Sequence, residues 1–307
     1  MRIVATAPVP PVGRDAFAKL GEIEVNGAGH LCGAEILIVR GAPLDAHAIE
    51  SAAALRVIAR TGAGYDNVDV TAATRAGIPI VYAPDVGTGP VAEGTIALML
   101  AAAKRLRELG AIVSTDWDAR YDVMGMDLEG ACAGVVGLGA IGHRVASLCR
   151  SLGMAVIAHD PAASDSPCEL VRLEELLARA DVITFHCALT DRTRGLIDRA
   201  LLDRVKPGAI LVNAARGALV QSEDVLADAL ASGRLSAIAL DVHPTEPPRV
   251  NHRLYSDPRV ICTPHTVGLT RRWNEEVFSA LAAGVTAVLA GGRPPNLLNP
   301  EALGVPR

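Results

Sequence analysis

Short apolar runs, each closing on a polar residue, recur along the whole chain and alternate with stretches whose apolar positions repeat at helical spacing. In the first third, residues 2–6, 34–39, 55–59 and 78–82 read as strands, and 15–20 and 44–54 as helices. A second series follows at 133–136, 154–160, 182–186, 209–213, 237–241 and 260–263, with helical stretches between its members. Strands buried on both faces read as such near-continuous apolar runs, so the alternation predicts parallel sheets covered by helices. Residues 91–109 read as one long helix ending in Lys104, Arg105 and Arg107, a connector between two α/β units. In the second unit the polar strand ends are His186, Asn213, Asp241 and Thr263. Ligands of parallel sheets bind outside the carboxyl ends of the strands, which places these four along one rim.

The stretch that organises the second unit is Ala133-Gly-Val-Val-Gly-Leu-Gly-Ala-Ile-Gly142. It has the form strand, G-x-G-x-x-G turn, helix. Gly137 permits the tight turn, Gly139 the close approach of a pyrophosphate, and Gly142 close packing of helix on strand. Asp160 ends the next strand 18 positions after Gly142, where a carboxylate that takes the adenosine ribose hydroxyls is expected. Pro161, Ala162, Ala163 and Ser164 follow it, so no neighbouring cation would neutralise a 2′-phosphate. The pattern points to NAD.

Composition narrows the classes. The chain has 307 residues, enough for two domains, and half are apolar while only 3% are aromatic, so the core must be built from Ala, Val, Leu and Ile. A net charge of −5 with both signs dispersed gives no basic block for nucleic acid or an anionic membrane. The longest apolar stretch, near residues 96–103, is far too short to span a bilayer. Six cysteines without a C-x-x-C, mostly in apolar runs, are expected to be reduced, buried thiols of a cytoplasmic protein.

Three segments past the glycine turn carry residue types that a keto-acid hydride-transfer site needs. Asn213-Ala-Ala-Arg216-Gly217 puts a guanidinium just beyond a strand end, able to hold a carboxylate bidentately and polarise a neighbouring carbonyl. Asp241-Val-His-Pro-Thr-Glu246-Pro247 puts two carboxylates near a second end, and Thr263-Pro-His265 an imidazole at a third. A ketone that receives hydride needs a proton donor near neutral pH, which suits His. By position alone His186 and His243 are as well placed as His265, whereas His30, His47, His143, His159 and His252 have no comparable setting. No H-x-x-H or H-E-x-x-H spacing occurs, so no metal is expected.

These segments together resemble the D-isomer-specific 2-hydroxyacid dehydrogenases, the group containing D-3-phosphoglycerate, D-lactate, hydroxypyruvate/glyoxylate and formate dehydrogenases. The matching pieces run in order along nearly the whole chain: Arg60-Thr-Gly-Ala-Gly-Tyr-Asp-Asn-Val-Asp69, Val91-Ala-Glu93, the glycine turn, His186 with Leu189, Thr190 and Thr193, Lys206-Pro-Gly208, Asn213 to Gly217, Asp241 with Glu246-Pro247, and Thr263-Pro-His265. The resemblance implies an α/β fold of two Rossmann-like, doubly wound parallel-sheet domains with a cleft between them. Residues 1–97 with 269–307 would form the substrate-binding domain and 98–268 the NAD-binding domain. It implies a catalytic trio in which Arg216 binds substrate, His265 is the acid/base and Glu246 its partner. It implies that Gly137, Gly139, Ala140, Ile141, Gly142, Asp160, Cys187, Thr193, Ala214, Ala215, Arg216, Asp241, His265 and Gly268 line the NAD site, Asp241 facing the nicotinamide carboxamide. Substrate would meet Arg40, the backbone at Ala63 and Gly64, Arg216 and His265. A small 2-keto or 2-hydroxy acid and a homodimer built through the cofactor domains complete the expectation. The sequence departs from the family at Tyr82-Ala83, Pro90, Ala131 and Ala188. Ala42 stands where a second Arg is sometimes found, which weakens the case for a phosphorylated substrate. The rival class is a non-catalytic, NAD-sensing corepressor-like protein on the same fold, in which the trio can also be retained.

Overall fold

The computed structural model describes residues 1–26, 31–163, 166–249 and 251–305, so His30 and Ser164 lie outside the described residues. The chain forms two compact units, Met1–Gly87 with Leu269–Arg307, and Thr88–Gly268.

In the first unit the order is β1 (Ile3–Ala5), α1 (Pro11–Phe17), β2 (Ile23–Val25), β3 (Ile36–Val39), α2 (Ala46–Ser51), β4 (Val57–Arg60), α3 (Val70–Arg75) and β5 (Ile80–Tyr82). All pairings are parallel in the order β2-β1-β3-β4-β5. Adjacent residues of a strand face opposite sides, and here both sides are covered. Ile3, Ala5, Ile38, Ala59 and Val81 pack against Trp273, Val277, Phe278 and Leu281 of the C-terminal helix, while Val4, Leu37, Ile58 and Ile80 pack against Ile49, Ala72 and Ala73. Asp69, read from sequence as a helix entry, caps α3 by accepting from the Ala72 N–H at 2.8 Å.

The second unit runs α4 (Thr88–Ala103), α5 (Leu106–Ile112), β6 (Cys132–Val136), α6 (Ala140–Ser151), β7 (Ala155–His159), β8 (Glu169–Leu170), α7 (Leu173–Arg179), β9 (Val182–Phe185), α8 (Arg199–Leu202), β10 (Ala209–Asn213), α9 (Glu223–Ala231), β11 (Leu235–Leu240), α10 (Arg253–Ser256) and β12 (Val260–Cys262). Its seven parallel strands order as β12-β11-β10-β9-β6-β7-β8. The chain then returns to the first unit as α11 (Arg271–Leu289).

The single helix expected over 91–109 is two helices. The Ala103 carbonyl accepts from the Met126 N–H at 2.7 Å, so a distant returning segment ends α4, and Arg105 turns the chain with a left-handed φ of 54°. The three cations expected to complement one helix end are separately engaged: Lys104 pairs with Asp127, Arg105 with Glu108, and Arg107 donates to backbone carbonyls of Tyr255, Asp257 and Val260. The unit boundary falls before α4, at 87/88, where the sequence reading had cut within it at 97/98. The buried face of this helix, Ala92, Leu98, Met99 and Ala102, packs as one piece on Ala133, Val145, Ile210 and Ala239 of the second unit.

The cysteines also need correcting. All six are free thiols, but Cys149 alone is fully buried and Cys32 and Cys262 are exposed. Cys262 ends β12, the strand at one edge of the sheet.

Candidate active site

The glycine turn is built by backbone contacts that no other residue allows. Gly137 has a positive φ of 96°, and a Cβ there would strike the Cys187 backbone; a Cβ at Gly142 would overlap the Gly137 carbonyl. Gly139, by contrast, faces open space and is the N-cap of α6, whose N-terminus no side chain caps. Exposed backbone with uncapped N–H groups at a helix start is what a pyrophosphate requires, so the residues present fit a dinucleotide. Asp160 stands at the carboxyl end of β7, accepting from Leu138 N–H at 2.7 Å through Oδ2 and from Ala162 N–H at 2.8 Å through Oδ1. Burial pushes its carboxyl up, but those N–H donors and nearby His159 outweigh it and hold it below the usual carboxylate range. It is an anion at neutral pH.

Arg216 leaves β10 on a stapled loop. Asn213, fully buried, donates from Nδ2 to the Arg216 carbonyl at 2.9 Å and accepts from the Ala215 N–H at 3.0 Å. Arg216 Nη1 donates to the Ala215 carbonyl at 2.7 Å. Gly217 lets this loop press on the next one, since a Cβ there would overlap the His243 carbonyl.

Glu246 and His265 meet at the ends of β11 and β12. His265 Nδ1 lies 3.0 Å from Glu246 Oε2, and Glu246 Oε1 accepts from the His243 N–H at 3.1 Å. Burial raises the Glu246 carboxyl, but the hydrogen bond and charge of His265 and the His243 N–H more than offset this and leave it below the usual carboxylate range. His265 holds a left-handed φ of 57°, a conformation that costs a non-glycine residue about 1–3 kcal/mol and persists only where neighbours impose it.

Asp241 imposes it. Only 3% exposed, its carboxylate accepts from Thr263 Oγ1 at 2.6 Å, Thr266 N–H at 2.7 Å and Val267 N–H at 3.2 Å, while its carbonyl accepts from His265 N–H at 2.7 Å. The resemblance implied a cofactor contact for Asp241; holding the His265 loop is a role that sequence reasoning missed. Asp241→Ala is expected to lower stability by at least about 3 kcal/mol, since three donors lose a buried carboxylate, as chemical denaturation would measure.

The other candidates are placed as follows. Ala140 is exposed and Ile141 half-buried on the first turn of α6; Ala214 is buried and Ala215 half-buried before Arg216. Burial pushes the Cys187 thiol up to about 11, so it stays protonated. Thr193 Oγ1 donates to the Ala188 carbonyl at 2.7 Å and accepts from Thr190 N–H at 2.8 Å, shaping its turn. Gly268 lies against Val91 of α4. In the first unit, Arg40 donates to the Pro8 carbonyl at 2.7 Å and lies 5.9 Å from the Phe278 ring centre. Ala63 is exposed and Gly64 half-buried on the loop after β4, which Asn67 anchors by donating to the Arg40 and Ala42 carbonyls.

Two histidines left open by position are now separated from His265. His186 is bonded through Nε2 to Thr184 Oγ1 at 2.8 Å and burial lowers it to about 4, far from a proton donor's range near neutrality. His243 is 5% exposed. Among the described residues no group of three metal-ligand side chains occurs, and no helix is long and apolar enough to cross a membrane.

Residues 96–267 match the family model described as "D-isomer specific 2-hydroxyacid dehydrogenase, NAD binding domain". The chain belongs to the D-isomer-specific 2-hydroxyacid dehydrogenase family. The matched residues make the second unit its NAD-binding domain. The chain is similar to the D-3-phosphoglycerate dehydrogenase of Archaeoglobus fulgidus, 37% identical over 95% of this chain and 58% of that protein. It therefore spans about three-fifths of that relative's length. The glyoxylate reductase of Aeropyrum pernix is also 37% identical, over 85% of this chain and 82% of that one. Among solved structures, the D-lactate dehydrogenase of Aquifex aeolicus, complexed with NAD and lactic acid, has a TM-score of 0.86 at 25% identity, covering 97% of this chain and 99% of that one.

Proposed function

We propose that this chain is an NAD-dependent dehydrogenase that interconverts a small D-2-hydroxy acid and its 2-keto acid, with Arg216, Glu246 and His265 as its catalytic residues. The observation that carries the reading is the Glu246–His265 pair, Nδ1 to Oε2 at 3.0 Å, on a loop held in a costly backbone conformation. With Nδ1–H committed to the carboxylate, His265 Nε2 carries the proton that goes to the carbonyl oxygen in reduction and is taken back in oxidation. Glu246, an anion over the working range, holds the ring by Nδ1 and so fixes which nitrogen is left for the substrate. The Arg216 guanidinium takes the substrate carboxylate and polarises the carbonyl. Bound NADH supplies the hydride such a reduction needs.

Family membership and the named relatives support this class of chemistry. The acid itself is to be found by following NADH absorbance against glyoxylate, hydroxypyruvate, pyruvate, a branched keto acid and 3-phosphohydroxypyruvate, with NADPH run in parallel. Turnover of one member with NADH sustains the reading; binding of NADH with turnover of none contradicts it.

Asp160 should set the choice of NADH. Asp160→Ala is expected to weaken NADH binding about tenfold, the loss of charge-assisted bonds to ribose hydroxyls, and to narrow the preference over NADPH. Fluorescence titration with both nucleotides checks it. We further propose a cytoplasmic location, supported by six free thiols, and a homodimer, supported by an exposed apolar series on and after α5 (Leu106, Val113, Trp117, Tyr121 and Met124) in the NAD-binding unit.

A further inference from the structure

We propose that His243 is a positioning residue for the Glu246–His265 pair, tying the loop that carries Glu246 to the strand end that leads into His265. One residue touches all three catalytic segments. Its carbonyl lies where Gly217 gives the Arg216 loop room to pack, its N–H donates to Glu246 Oε1 at 3.1 Å, and its ring Nε2 lies 3.0 Å from the Thr263 carbonyl oxygen, two residues before His265. A carbonyl only accepts, so Nε2 carries the hydrogen. The ring packs edge-to-face on Tyr255, with centroids 5.6 Å apart.

The choice of histidine here needs a physical reason. A phenylalanine would fill the same 5%-exposed space and pack on Tyr255 equally well. Histidine instead buries Nδ1, which has no hydrogen-bond partner among the described residues, and an unmatched buried polar atom is destabilising. What the imidazole adds over a benzene ring is the one bond from Nε2 to Thr263. That bond crosses from the Glu246 loop to the His265 strand end. The peptide N–H contact with Glu246 survives any side-chain replacement, so the ring's contribution can be isolated.

The kinetic arm of the test rests on the function proposed above; the spectroscopic arm does not. Glutamine places an amide nitrogen where the imidazole has Nε2, whereas phenylalanine and asparagine cannot reach Thr263 with a donor. Side-chain 15N–1H NMR of the full-length protein without cofactor reads the His265 nitrogens. His243→Phe is expected to displace them, and His243→Gln to leave them as in the wild type. With an accepted keto acid, His243→Phe should lower kcat roughly five- to tenfold, the loss that follows from one hydrogen bond, at unchanged KM for NADH. His243→Gln should restore kcat to within about twofold of the wild type, a recovery that one retained bond allows. If His243→Phe does not fold, His243→Asn takes its place against His243→Gln. Unchanged His265 signals in His243→Phe, or a glutamine variant as impaired as the phenylalanine one, overturns the proposal. Should the wild type turn over no keto acid, the functional reading fails while the His265 signals still decide the role of His243.

Discussion

Replacing His265 by glutamine is expected to slow keto-acid reduction about a hundred- to ten-thousandfold, the range that general acid catalysis supplies, while NADH binding stays nearly unchanged. Glutamine places its amide nitrogen near Nε2 and leaves the Nδ1 bond to Glu246 unmade, but the loop is held by its own bonds to Asp241 and should keep its path. What disappears is the imidazole proton donor at Nε2. The loss should therefore fall on kcat, the mark of an interaction realised in the transition state. The pH dependence carries a sign. Glu246 is held below its ordinary value of 4.5. A group lowered in the folded state contributes stability above its unfolded value and loses it only as pH falls through the lower, folded one. The Glu246–His265 tie should thus survive mild acid, and reduction should fall only as Glu246 takes up its proton, below the ordinary carboxylate range. In the glutamine variant, which lacks that tie, the acid-side fall should vanish from the kcat profile. A variant that keeps the fall would place the titrating group elsewhere.

Arg216→Lys is expected to damage binding and turnover together, by about a hundredfold or more in kcat/KM, the scale of losing one preorganised charged donor. A lysine keeps the charge but not the planar fork that grips a carboxylate with two parallel bonds. Because the same guanidinium is proposed to hold the carboxylate in the ground state and to polarise the carbonyl in the transition state, KM should rise and kcat fall. The loop itself should be spared, since Asn213 bonds the main chain of residues 215 and 216, not the Arg216 side chain. Steady-state kinetics beside a thermal melt separate the two effects. A lysine variant with wild-type kcat would remove Arg216 from the chemistry.

The parallel sheets were legible because strands buried on both faces announce themselves as apolar runs, and each polar strand end did mark a rim position. The glycine turn was legible for a related reason: a φ of 96° at Gly137 and the contact of Gly142 with a neighbouring carbonyl leave glycine as the residue that fits. What the pattern could not carry was anything decided by a partner far along the chain. The break at Arg105 depends on Met126 capping Ala103, and local periodicity runs straight through it. Asp241 looked like a rim carboxylate with a ligand to meet, whereas its donors come from residues 263–267, more than twenty positions away. Gly217 and His243 stood in the right motifs with no local hint that one packs on the other. His186 and His265 were indistinguishable by position and differ in burial, in backbone conformation and in what each ring bonds.

The central claim is that His265, set by Glu246, gives its proton to a keto acid as hydride arrives. A single-turnover measurement tests it most directly: enzyme saturated with NADH is mixed with the best keto acid of the panel, wild type beside His265→Gln, and loss of NADH absorbance is followed in time. The account predicts fast loss in the wild type and loss at least about a hundredfold slower in the variant, with equal NADH binding before mixing. Equal rates in the two proteins would contradict it.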